Sequence, residues 1–185
     1  MSIAKRLIAL AALSTAAFTA NATIINYTDS IDPNPGIVLN ANGGAGTVKS
    51  YTFTHDITDN GYTAANFKLL SADLTVYFID TANNGNETFT FKIGSGAFAE
   101  SYDNDKYVAN GNSETSFPFS LKGSLADLAA DGKLSVTLTA NSGDFIFTHS
   151  ELKAKAETVN VPEPASLALL GLGLGAMGLR RRRKA

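Results

Sequence analysis

Three hydrophobic patterns follow one another along the chain. Residues 7–18 are almost unbroken apolar sequence, residues 23–160 alternate apolar and polar positions in short runs, and residues 165–179 are again free of charge. Alternation with a period of two marks strands that bury one face. It predicts strands over 24–27, 48–57, 69–79, 88–93, 98–102, 117–121, 134–140 and 144–153. Leu74, Val76 and Phe78 share a face, as do Phe89, Phe91 and Ile93, and Leu134, Val136 and Leu138. Their opposite faces carry residues such as Thr88, Thr90 and Lys92, or Ser135, Thr137 and Thr139. One apolar and one wet face imply an all-β protein, an antiparallel β-sandwich of jelly-roll or Ig-like type with about eight strands.

Turn-forming clusters separate the runs at Asp59-Asn60-Gly61, Asn83-Asn84-Gly85, Asp131-Gly132 and Asn141-Ser142-Gly143. The last joins two strong strands and predicts a hairpin. Leu125, Leu128 and Ala129 fall at helical spacing, so a short helix is expected over 124–130. Residues 31–47 read as a loop punctuated by a short strand. The resulting organisation is a leader at 1–22, a β-sandwich at 23–153, a linker at 154–160 and a C-terminal segment at 161–185. No repeat of 20–50 residues is present, which excludes solenoids and propellers.

The first apolar stretch reads as an export signal. Lys5 and Arg6 precede it, and Ala20-Asn21-Ala22 supplies small residues for signal peptidase, with cleavage expected between Ala22 and Thr23. The stretch is too short to span a bilayer, which takes about 20 residues. At the other end, Val161-Pro162-Glu163-Pro164 breaks any element arriving from upstream, because proline lacks the N–H that a strand or helix needs. The 15 residues from Ala165 to Leu179 follow, then Arg180, Arg181, Arg182, Arg183 and Lys184. As a helix the apolar part measures about 22 Å, a short transmembrane segment held by a basic stop on the cytoplasmic side. A basic run abutting an apolar segment in an exported chain argues against a nucleic-acid partner.

A Pro-Glu-Pro motif, a short Gly- and Leu-rich helix and a terminal Arg cluster together resemble the PEP-CTERM sorting signal, here over residues 161–185. A similar tail is also catalogued as a C-terminal segment of some ice-binding proteins, which says nothing about the body. The resemblance implies a Gram-negative bacterium that makes exopolysaccharide. It also implies an exosortase, a membrane-embedded transpeptidase-like enzyme, that processes the tail near Pro162-Glu163-Pro164. The chain would then be exported through the inner membrane, transiently anchored, and delivered to the cell surface or extracellular matrix.

Composition changes the picture in two ways. The chain of 185 residues has no cysteine, so disulfides, thiolate metal sites and a cysteine nucleophile are excluded. Its formal charge of −2 hides an uneven distribution. Between residues 23 and 163 lie eight lysines, no arginine and all 17 carboxylates, a net charge of −9. Such a body disfavours anionic polymers unless a cation bridges them.

Candidate chemistry in the body is sparse. Asp80, Asn83, Asn84, Asn86 and Glu87 form one oxygen-rich cluster, Asp103, Asn104 and Asp105 a second, and Asp56, Asp59 and Asn60 a third. Ca²⁺ takes six to eight oxygens and is the one cofactor these loops suggest, although none has EF-hand spacing, and Asn and Asp also simply favour turns. The two histidines sit in an echo, Phe53-Thr54-His55-Asp56 and Phe147-Thr148-His149-Ser150. Parity places His55 with Tyr51 and Phe53, and His149 with Phe145 and Phe147, both toward the core. A paired Zn²⁺ or base site with Asp56 or Glu151 is the sharper alternative to two partly buried histidines bonded to loop backbone.

Tyr62, Tyr77, Tyr102 and Tyr107 could stack on sugars. The Thr-x-Thr pairs at 52/54, 88/90 and 137/139 are irregularly separated, so no ordered array is expected. There is no Gly-x-Ser-x-Gly elbow, P-loop or His-Glu-x-x-His, and no enzymatic activity is expected. The favoured function is a structural or adhesive role linked to exopolysaccharide or biofilm. A carbohydrate- or Ca²⁺-binding module is the alternative, and a secreted hydrolase ranks third.

Overall fold

A computed structural model describes residues 22–80, 87–104 and 111–159, together with position 171. The leader expected up to residue 21, positions 81–86 (with Asn83, Asn84 and Asn86), positions 105–110 (with Asp105 and Tyr107) and the rest of the C-terminal segment lie outside these residues. Thr23–Val159 forms one compact unit. Its elements are β1 (Ile24–Ile31), β2 (Ile37–Asn40), β3 (Ser50–Asp56), β4 (Phe67–Asp80), β5 (Thr88–Ile93), β6 (Glu100–Asn104), β7 (Gly111–Ser120), α1 (Ser124–Asp131), β8 (Lys133–Ser142) and β9 (Asp144–Thr158).

The strands make two antiparallel sheets. One runs β1-β9-β4-β7, with β2 also paired to β9; the other runs β3-β8-β5-β6. The alternating apolar positions named above face each other between them. Leu74, Val76 and Phe78 of β4, Phe89, Phe91 and Ile93 of β5, and Leu134, Val136 and Leu138 of β8 are all buried. Phe78 sits at the centre of an aromatic cluster, with ring centroids 5.1 Å from Phe89, 5.6 Å from Phe117 and 5.1 Å from Phe145. Aromatic pairs at such separations contribute beyond the area they bury, and they join both sheets here.

Several expectations need correction. The Asn141-Ser142-Gly143 turn is not a hairpin: β8 pairs with β3 and β5, whereas β9 pairs with β1, β2 and β4. Alternation says which face of each strand is buried, but not which strand lies beside it. The turn therefore carries the chain from one sheet to the other. The linker expected at 154–160 is largely strand, because β9 runs to Thr158 with Ala154 and Ala156 buried against β1 and β4. Alanine is a weak hydrophobic marker, so the alternation there has little contrast against its polar neighbours. Strand β1 extends to Ile31, and β7 starts at Gly111, upstream of the predicted 117.

Two bulges decide where side chains go. In β4 the register shifts between Leu69 and Ser71. In β9, Tyr77 opposes His149 while Phe78 opposes Phe147, leaving Thr148 unopposed. An extra residue reverses the parity of everything that follows. Phe145 and Phe147 point inward before the bulge, and Ser150, Leu152, Ala154 and Ala156 after it.

Helix α1 crosses one end of the sandwich. Glu100 caps its N-terminus, accepting from Gly123 N–H at 2.6 Å and from Ser124 Oγ at 2.7 Å. Burial opposes the Glu100 charge, but these donors together with Lys122 N–H and the Tyr102 hydroxyl outweigh it, leaving the carboxyl below its usual range. The helix ends at Gly132, whose φ of +79° supplies the left-handed cap.

Candidate functional site

The bulge at Thr148 assembles a Ser-His-Asp constellation in the interior. His55 on β3 places Nδ1 2.7 Å from Asp29 Oδ2 on β1 and Nε2 2.9 Å from Ser150 Oγ on β9. His55 and Ser150 are fully buried. Burial pushes the His55 imidazole below its ordinary value, outweighing the hydrogen bond and charge of Asp29 that pull it up. In the neutral ring Nδ1–H donates to Asp29, and Nε2 accepts the Ser150 hydroxyl. Asp29 Oδ2 also accepts Asp56 N–H at 3.2 Å, and Ser150 Oγ lies 3.2 Å from the Thr75 carbonyl.

That polarity matches a hydrolase triad, but the surroundings do not. A nucleophile needs its target carbon at roughly 3–3.5 Å, and Ser150 presents no surface to a substrate. The trio instead ties β3 of one sheet to β1 and β9 of the other. Asp29 and Ser150 were not singled out from the sequence; the serine reaches this position only through the bulge.

The second histidine departs from expectation for the same reason. His149 faces outward and is about one-third exposed (36 %). It stacks on Tyr77 at 4.0 Å and places Nδ1 3.1 Å from Glu114 Oε1. Thr148 Oγ1 lies 2.6 Å from that same carboxylate oxygen. The echo does bring its two segments together, since Phe53 and Phe147 stack at 4.9 Å. The histidines, however, end on opposite sides of a sheet. Asp56 pairs with Lys133 and Glu151 with Lys153, so the proposed partners are engaged elsewhere. The paired-histidine site is not formed.

Oxygen-rich positions fare differently from one another. Asp56 accepts from Lys133 and from Thr58 N–H and Oγ1, which hold its carboxyl at about 2. Asp103 accepts from Thr90 Oγ1 at 2.9 Å on the outer face of β6. Asp80 and Glu87, at the end of β4 and just before β5, are both buried. Parity already places Asp80 on the face of Leu74, Val76 and Phe78. Among the described residues no three His, Asp or Glu side chains are grouped as a ready metal cage.

The hydroxyl pairs do form an array, contrary to the expectation from their spacing. Strands β3, β8 and β5 are neighbours, so Thr52 faces Thr137 and Ser50 faces Thr139, with hydroxyls 2.9 Å and 3.0 Å apart. Thr90 lies beside Thr139 in turn. Irregular spacing along the chain does not prevent hydroxyls from lining up across neighbouring strands. Of the tyrosines, Tyr62 is buried and donates to the Ala129 carbonyl at 2.8 Å. Tyr102 is occupied with Phe119 and Glu100.

No helix among the described residues is long and apolar enough to cross a membrane; the stretch at 165–179 lies, but for position 171, outside them. Residues 160–184 match the PEP-CTERM protein-sorting motif. That signal marks an exported protein sorted to the cell surface by an exosortase. No curated protein matches the chain. Among solved structures, a 4-O-methyl-alpha-glucuronidase with specificity for decorated arabinogalactans aligns at 15 % identity and TM-score 0.36, over 75 % of this chain and 18 % of its own. The cocksfoot mottle virus structure aligns at 10 % identity and TM-score 0.36, over 79 % of this chain and 99 % of its own. The VP2 subviral particle of infectious bursal disease virus aligns at 8 % identity and TM-score 0.37, over 84 % and 48 %. Likeness at this level carries no functional argument.

Proposed function

We propose that this chain is a secreted jelly-roll module with a structural or adhesive role at the cell surface or in an exopolysaccharide matrix of a Gram-negative bacterium. The observation that carries the reading is the sorting motif at 160–184, which follows in sequence directly on a domain ending at Val159. The strand order supports the jelly-roll assignment over an Ig-like one. With β1 and β2 counted as one strand along β9, the two sheets interleave as 1-8-3-6 and 2-7-4-5, the double-sheet pattern of two Greek keys. The burial of Ser150 and His55 supports a non-enzymatic role.

Export begins with signal-peptidase cleavage between Ala22 and Thr23. The compact unit starts at Thr23, whose N–H donates to Thr158 Oγ1 at 3.0 Å, and a mature chain beginning at that residue keeps the contact, which supports this reading. The tail then holds the protein in the inner membrane until the exosortase acts. Replacing Pro162, Glu163 and Pro164 by alanine is the test. The variant is expected to stay in the membrane fraction with its tail intact, while the parent reaches the surface or medium. Normal release of the variant would refute the sorting step. Loss of biofilm cohesion on deletion of the gene supports the matrix role, and an unchanged biofilm argues against it.

A further inference from the structure

Where β4 stops, β5 starts and β8 turns into β9, the charges of Asp80 and Asp144 bear on a third carboxylate, Glu87. Glu87 is completely buried, and neither of its carboxylate oxygens has a hydrogen-bond partner. Its side chain lies across Gly143, which has φ +71° and no side chain to exclude it. A Cβ there would stand 3.0 Å from Glu87 Cγ and 3.3 Å from Oε1. The neighbouring backbone is fixed. Thr88 N–H donates to Ser142 Oγ at 3.1 Å, the two hydroxyls are 2.9 Å apart, and Ala41 N–H donates to the Gly143 carbonyl at 3.1 Å.

Burial pushes the Glu87 carboxyl above its ordinary value and the charges of Asp80 and Asp144 push it further, while its own backbone N–H, which closes no hydrogen bond to it, offsets only part of the rise. An ionised carboxylate with no partner in such a place is costly, and two like charges nearby make it more so. A hard dication removes both penalties at once.

We propose that Glu87, Asp80 and Asp144 form the anionic core of a Ca²⁺ site at this end of the sandwich. Ca²⁺ accepts irregular sets of six to eight oxygens, while Mg²⁺ demands a near-ideal octahedron. Strands from both sheets make the site, since β4 and β9 lie in one and β5 in the other. Asp144 is the most accessible of the three, and binding draws it toward Glu87 to complete a group that is not gathered beforehand. Bound there, the ion ties the two sheets together in a chain that has no disulfide. Extracellular modules bind Ca²⁺ with dissociation constants of about 10⁻⁴–10⁻³ M, which suits an exported protein.

The site goes beyond the sorting reading and does not depend on it. The full-length protein is stripped with EGTA, then titrated with Ca²⁺ or Mg²⁺ by calorimetry and by thermal unfolding. Ca²⁺ at a hundredfold its dissociation constant is expected to raise Tm by roughly 5–10 °C, with a much smaller response to Mg²⁺. Glu87→Gln is expected to fold without the ion and to lose at least about tenfold in Ca²⁺ affinity. Asp144→Asn, on the more exposed ligand, provides the same comparison if the buried variant does not fold. A parent protein with no heat and no Tm change on adding Ca²⁺ overturns the proposal, as does a variant that keeps full affinity. Processing of the Pro162-Glu163-Pro164 variant is read separately, so either proposal can fail alone.

Discussion

His55 Nε2 lies 2.9 Å from Ser150 Oγ, although 95 residues separate them in the chain and they belong to facing sheets. The contact is a polar staple inside an apolar interior. Replacing Ser150 with alanine leaves a buried imidazole nitrogen without its donor, which costs about 1–3 kcal/mol. Urea unfolding measures it. A variant as stable as the parent would remove the staple from the account.

The same histidine makes stability depend on pH. Its folded value lies below the unfolded value of 6.5 because burial favours the neutral ring. The unfolded chain therefore takes up the proton first. Stability from this group is complete above pH 6.5 and declines as the pH falls below it. Glu87 acts with the opposite sign when no cation is present. Its folded value is raised, so its contribution is complete below 4.5 and is lost as the pH rises through the folded value. Thermal unfolding of Glu87→Gln in EGTA isolates the histidine. The variant is expected to exceed the parent in Tm at pH 7, and that excess to shrink as the pH falls toward 4.5.

Phe78 is the keystone of the aromatic cluster, touching rings from β5, β7 and β9. Phe78→Ala is expected to cost about 3–5 kcal/mol through lost burial and an unfilled cavity. Denaturant titration should show a lower midpoint with an unchanged slope.

Gly132 and Gly61 separate two effects of glycine. Both have positive φ, +79° and +90°, but only at Gly132 would a Cβ meet neighbours, Thr58 Cγ2 at 2.6 Å and Tyr62 Cδ1 at 2.9 Å. Gly61→Ala is expected to cost the left-handed backbone term alone, about 1–2 kcal/mol. Gly132→Ala adds a steric clash and should lower Tm further. Equal shifts would show that Tyr62 and Thr58 give way freely.

Period-two alternation settled a good deal before any tertiary structure was known. It placed Leu74, Val76 and Phe78 inside with Phe89, Phe91 and Ile93 and marked two sheets with one wet face each, while the helical spacing of Leu125, Leu128 and Ala129 located α1 almost to the residue. Composition located the acidic body, and the Pro-Glu-Pro tail stated its own address. These are local properties, readable because each residue's side of a strand follows from its neighbours' polarity. Tertiary structure decided which strands are neighbours, and therefore that β8 and β9 part at Gly143 and that Thr52 and Thr137 meet. It also inserted one unopposed residue, Thr148, which turned His149 out and Ser150 in. A bulge of one residue has no strong sequence signal, yet it inverts every side chain beyond it. Asp29 joined His55, and the charge of Asp144 came to bear on Glu87, only once distant strands were packed. Pairing across sheets depends on how whole faces fit, which no single segment of the chain encodes.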